Sequence, residues 1–153
     1  MLTDLIYSRI KQKPQAKYIV DKSTPIPFFG YVHSARIATL SLNPSKNEFL
    51  AKNGSLLPHY NKRLEDLESL NVNSFEEFTD THVDRIYQSC LGYFSKPGAN
   101  PYNIWFSRME SLIKASLNMS YYDGSCCHLD IVQWATNPVW RGLPNESIQE
   151  MLE

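Results

Sequence analysis

Only two runs of β-forming residues stand out in the chain, RIATLSL (residues 36–42) and CCHLDIVQ (residues 126–133), and what lies between them reads as helix and turn. Strands kept so far apart by helical sequence cannot close as a hairpin. They pair side by side in parallel, through a right-handed crossover. That spacing points to α/β architecture, with a short and mainly parallel sheet. The first run lacks strict alternation, which predicts a strand covered on both faces.

The helical patterns fill the remaining positions. Leu2, Leu5, Ile6 and Ile10 fall near helical spacing over residues 2–11. STPIPFFG (residues 23–30) is apolar but carries Pro25 and Pro27, so it reads as an extended packed segment and not a central strand. Residues 46–62 read as irregular, with a turn at Asn53-Gly54. RLEDLESL predicts a short helix, and Ser74 opens a capping pattern for another helical turn. Val83, Ile86, Tyr87, Cys90, Leu91 and Phe94 share one face of a helix from Asp80, which Lys96-Pro97-Gly98 should end. Trp105, Met109, Leu112, Ile113 and Leu117 share a face of the next, starting near Pro101. NESIQEML, from Asn145, is the last helical segment.

With 153 residues, 42% of them apolar and 12% aromatic, the chain supports one domain over residues 1–153. Two strands are few for a sheet of this type. The expectation is therefore the N-terminal part of a larger domain, or a homodimer that completes the sheet. No run is apolar for long enough to span a membrane, and the first residues lack a secretory pattern. Three cysteines, two of them adjacent, suggest reduced thiols and a cytoplasmic protein. Residues 1–63 hold ten Lys/Arg against three Asp/Glu, and residues 64–153 hold five against thirteen. Either the two parts neutralise each other on packing, or a basic face meets phosphate.

Ligands of open parallel sheets bind beyond the carboxyl ends of the strands. Asn43 stands immediately after the first strand, in an Asn-Pro turn. Asp130 lies inside the second, where a carboxylate is costly unless paired or functional. On the strand period His128, Asp130 and Val132 share one face. Cys126-Cys127-His128 lacks a distant ligand pair, so no metal is expected. No Gly-rich phosphate loop occurs and no cofactor is expected. Tyr121, Tyr122, Trp134 and Trp140 are either core aromatics or a stacking platform for bases.

SLNPS (residues 41–45), followed by a polar-aromatic segment, a helix with Trp105-Phe106 and the strand CHLDIVQ, resembles the uracil-DNA glycosylase superfamily. The resemblance implies a three-layer α/β/α fold and cleavage of the N-glycosidic bond of a flipped nucleotide in DNA. It implies that Asn43 positions the attacking water, that Pro44 and Ser45 line the pocket, that Phe49 stacks on the base (with Phe28, Phe29 and Tyr31 behind it), and that Asp130 reads the base edge. The late His- or Ser-bearing motif of that superfamily finds no match in residues 131–153. Asp130 stands where the family presents Asn, and an ionised carboxylate accepts hydrogen bonds but donates none. A base bound there should offer an amino or imino donor. A non-catalytic binding or scaffolding domain of the same fold, working as a homodimer, is the alternative.

Overall fold

The computed structural model of the chain describes residues 2–12 and 16–152. β1 (Ile37–Ser41) and β2 (Cys126–Asp130) pair in parallel, with Ile37 opposite Cys126 and Ser41 opposite Asp130. Paired residues project to the same side of a sheet. One face therefore carries Thr39, Ser41, His128 and Asp130, and the other carries Ala38, Leu40, Cys127 and Leu129. The polar set is the one turned to the interior. Leu40 is 65% exposed, and Ile131 and Leu42, just past the strand ends, are 51% and 49% exposed. The expectation of a first strand covered on both faces is corrected: one face of β1 lies open.

The segment STPIPFFG runs beside β2, and residues 23–30 are all buried. Phe29 forms an isolated antiparallel bridge to His128, its amide donating at 2.8 Å and its carbonyl accepting at 3.0 Å. Further along, the Ile26 amide donates to the Gln133 carbonyl at 2.8 Å. The prolines have no N–H to give, which limits this contact to scattered bonds instead of a ladder. Gly30 then turns the chain at φ +88°, where a Cβ would meet the Phe94 ring at 2.9 Å.

The helices follow the predicted spacing with local shifts. α1 (Leu2–Ile10) buries Ile6 and Ile10 but leaves Leu2 and Leu5 in solvent. α2 (Leu67–Leu70) is a single turn, started by an Asp66–Ser69 capping box. The pattern at Ser74 yields only a 3-10 turn, Phe75–Glu77, without a side-chain cap. α3 (Asp80–Leu91) buries Val83, Ile86, Tyr87 and Cys90 and ends at Gly92, ahead of Lys96-Pro97-Gly98. The early ending lets Tyr93 and Phe94 enter the core from a turn.

α4 (Asn103–Leu117) buries Phe106 and Ile113, while Leu112 and Leu117 are exposed. Its buried stripe is thus rotated from the predicted one. Phe106 is drawn into an aromatic cluster with Phe29, Tyr93, Phe94 and Tyr121, all with ring centroids within 5.6 Å of it. Edge-on packing of this kind adds to what burial alone contributes. α5 (Asn145–Leu152) lies where the sequence predicts it.

The result is a mixed α/β chain around a small two-stranded parallel sheet. Its basic front and acidic remainder meet in ion pairs at Lys11–Asp80 and Lys22–Glu68. Among the described residues no helix is long and apolar enough to cross a membrane.

Candidate functional site

The carboxyl ends of β1 and β2 open into a cleft of about 320 Å³. The turn after β1 supplies Asn43, Pro44 and Ser45, β2 supplies His128 and Asp130, and α4 with the turn before it supplies Tyr102, Trp105 and Phe106. Four of the five residues that sequence reasoning singled out, Asn43, Pro44, Ser45 and Asp130, line this one space.

Asp130 closes β2 with a side chain only 1% exposed. The hydroxyl of Ser41, its partner across the sheet, donates to Oδ1. Oδ2 is buried with no hydrogen-bond partner among the described residues. A buried oxygen left unpaired costs roughly 1–3 kcal/mol, so this is an expensive arrangement unless a ligand completes it.

His128 sits 3.4 Å from the same Oδ1 through Nε2, and its Nδ1 meets the Thr39 hydroxyl at 2.8 Å. Ser41 Oγ is 3.3 Å from Nε2. These residue types suggest a serine-histidine-aspartate nucleophile, but the geometry is wrong for one. In that device the acid holds Nδ1 and the serine faces Nε2. Here serine and acid crowd the same nitrogen, and the serine proton is turned to the carboxylate. The imidazole is instead packed against the Trp105 ring at 4.6 Å.

Asn43 is held by its amide nitrogen. Nδ2 donates to the carbonyl of Trp134 at 3.3 Å and to the hydroxyl of Thr136 at 3.1 Å. Those bonds tie the Asn-Pro turn to the irregular segment following β2 and leave Oδ1 as an acceptor on a cleft-lining residue. Such an amide can take a hydrogen bond from a water and orient it. Ser45 caps the 3-10 turn Lys46–Glu48, its hydroxyl accepting from the Asn47 amide at 3.2 Å.

That turn carries the residue that sequence reasoning missed. Glu48 is 2% exposed, lines the cleft, and both its oxygens lie 2.8 Å from the Tyr93 hydroxyl, which donates to them. Burial pushes its carboxyl up to about 8, reinforced by the charge of Asp130 and opposed by Tyr93 and Arg63. The cleft therefore holds one neutral acid near Asp130 at neutral pH. The signal in the sequence was slight: Glu48 is one of only three acids before residue 64, and it adjoins Phe49.

Phe49 itself is corrected. It is 2% exposed in the hydrophobic core and is absent from the cleft walls. Phe28 is equally a core residue and Tyr31 hydrogen-bonds to Ser95 away from the site, whereas Phe29 forms part of the cleft floor. Besides Phe29 and Phe106, the aromatics that line the cleft are Tyr102, Trp105 and Trp140. Of the four aromatics read as core or platform, Trp140 reaches the cleft, Tyr121 and Trp134 are buried, and Tyr122 bonds Asn100.

A second groove of about 370 Å³ shares the Asn43–Ser45 turn, Tyr102, Trp140 and Arg141 with the first and adds Lys46. Glu48 and Asp130 line the first space, Lys46 lines the second, and Arg141 borders both. Burial raises the thiols of Cys126 and Cys127, which disfavours a thiolate nucleophile. Among the described residues no three His, Cys, Asp or Glu are grouped so as to hold a metal ion. No protein-family model, curated protein or solved structure matches the chain.

Proposed function

We propose that the chain is a cytoplasmic uracil-DNA glycosylase-like protein that holds a nucleobase in the cleft at the strand ends and hydrolyses its N-glycosidic bond. The single observation carrying this reading is that Asn43, in the turn after β1, and Asp130, at the end of β2, line one cleft whose walls also carry aromatic side chains. A base-excising site must clamp an extruded base and read its edge. Tyr102, Trp105 and Trp140 would supply the clamp and Asp130 the edge contact. Asn43 Oδ1 would accept from a water and direct its oxygen at the anomeric carbon. The new C–O bond forms as the C–N bond breaks, the water proton passes to solvent, and Glu48 is the neutral acid able to protonate the departing base. The basic margin of Lys46 and Arg141 suits the phosphates on either side of an extruded nucleotide. The three-layer α/β/α arrangement of that superfamily belongs to the same proposal, with α4 against the inner face of the sheet and α1 beside Leu129 on the outer one.

The test is abasic-site formation on single- and double-stranded oligonucleotides carrying uracil, mismatched thymine, hypoxanthine, xanthine, cytosine or adenine. Cleavage of at least one base, lost in Asn43→Ala, is expected. Cleavage by the wild type that Asn43→Ala retains removes the assigned role of Asn43.

A second reading, the non-catalytic homodimer, is favoured by the open apolar face of the sheet, where Leu40, Leu42 and Ile131 are all about half or more exposed. It predicts a dimer on sedimentation and no cleavage of any oligonucleotide.

A further inference from the structure

Resting on the reading of the cleft as a base pocket, we propose that it selects bases bearing an exocyclic amino group over their keto counterparts: cytosine over uracil, adenine over hypoxanthine. The selecting residue is Asp130, and three features of its surroundings carry the inference.

First, the residue lines the cleft with a side chain 1% exposed, yet among the described residues Oδ2 has no hydrogen-bond partner. A ligand group that reaches this oxygen removes an existing penalty, so its contribution exceeds that of an ordinary exchange of partners with water. Second, Ser41 donates to Oδ1 from the paired strand position, and that bond fixes the plane of the carboxylate. A carboxylate that accepts this bond through Oδ1 presents lone pairs and no hydrogen at its other oxygen. An amino group brings two N–H donors to such an edge. A keto oxygen in the same place sets lone pair against lone pair and leaves Oδ2 unpaired. Uracil does carry one N–H, but it is flanked by carbonyls on both sides, and one of them must approach the carboxylate beside it.

Third, the opposite sense is supplied by Glu48 on the same cleft. Tyr93 shares one hydrogen between the two carboxyl oxygens, and a neutral Glu48 carries one further hydrogen of its own. Burial beside Asp130 keeps that proton in place up to about pH 8. The pair therefore offers one acceptor and one donor, the complement of an amino group next to an unprotonated ring nitrogen. A site built to satisfy a buried polar group rejects the analogue that lacks the matching hydrogen more strongly than an apolar pocket rejects a change of size.

The experiment is calorimetric titration of the wild-type chain with two matched pairs of deoxynucleoside monophosphates, cytosine against uracil and adenine against hypoxanthine, repeated with Asp130→Asn. The amino member of at least one pair should bind roughly tenfold or more tightly than its keto partner, the scale of one well-placed pair of base contacts. In Asp130→Asn the amide can donate to a carbonyl, so that preference should vanish or reverse while thermal unfolding stays cooperative. If the wild type binds keto members as well as or better than amino members, the specificity inference is wrong and the base-pocket reading stands. If the folded wild type binds none of the four, both are wrong. The wild-type comparison alone decides the matter should Asp130→Asn fail to fold.

Discussion

Ser41 and Asp130 face each other across the β1–β2 pair, and the serine hydroxyl donates to one carboxylate oxygen while the other is buried with no partner among the described residues. An unpaired buried oxygen is a cost to folding, and the serine is what limits that cost. Ser41→Ala leaves both oxygens of Asp130 short of donors in a dry setting. Urea unfolding should show a loss of roughly 1.5–3 kcal/mol, the range for a hydrogen bond to a charged group. A loss below a few tenths would mean that the carboxylate is solvated.

Glu48 gives the protein a pH signature. Its carboxyl rises from an ordinary 4.5 to about 8 on folding, chiefly through burial. Between those values the folded state keeps a proton that the unfolded chain has released. Its contribution to stability is therefore fully present below pH 4.5 and is lost as pH rises to about 8. The slope is about −1.4 kcal/mol per pH unit for one proton. Glu48→Gln, which stays neutral throughout, should remove that slope from stability measured by urea unfolding across the interval. Equal slopes in the two proteins would show that Glu48 is ionised when folded.

Neighbouring aromatics separate clamp from core. Trp105→Ala should weaken binding of a base by roughly 1–3 kcal/mol, as loss of a stacking partner does. Phe49→Ala should instead cost roughly 3–5 kcal/mol of folding stability through the cavity it leaves. Paired binding and melting measurements on both variants distinguish the roles. The opposite pattern would restore Phe49 as the stacking residue.

The open face of β1 makes a separate claim on solution behaviour. With Leu40 65% exposed, a homodimer that covers this face should dissociate in Leu40→Lys and shift in sedimentation velocity. An unchanged sedimentation coefficient for the two proteins would leave the face uncovered by a second copy.

Much of this arrangement is legible in the sequence, because strand ends and helix patterns are local. The Asn43-Pro44 turn after a β-forming run marks the carboxyl end of a strand, and the spacing from Val83 to Cys90 marks the inner face of α3. Glu48 and Phe49 show where local reading stops. One 3-10 turn sends the glutamate to the cleft and the phenylalanine to the core, and the glutamate's partner is Tyr93, 45 residues away. The polarity of the sheet is equally hidden. Alternation shows that Thr39 and Ser41 share a side, but not that this side faces inward while Leu40 faces out. Only the packing of Trp105 and Phe106 against His128 decides it.

The central claim, that a nucleobase sits between Asn43 and Asp130, is tested most directly by an amide and indole nitrogen–proton NMR titration with the nucleotide pairs above. The expected result is saturable shifts confined to Ser41–Glu48, His128–Asp130 and the indoles of Trp105 and Trp140. Shifts confined instead to the apolar groove between α1 and Leu129, or no saturable shift with any nucleotide, would contradict it.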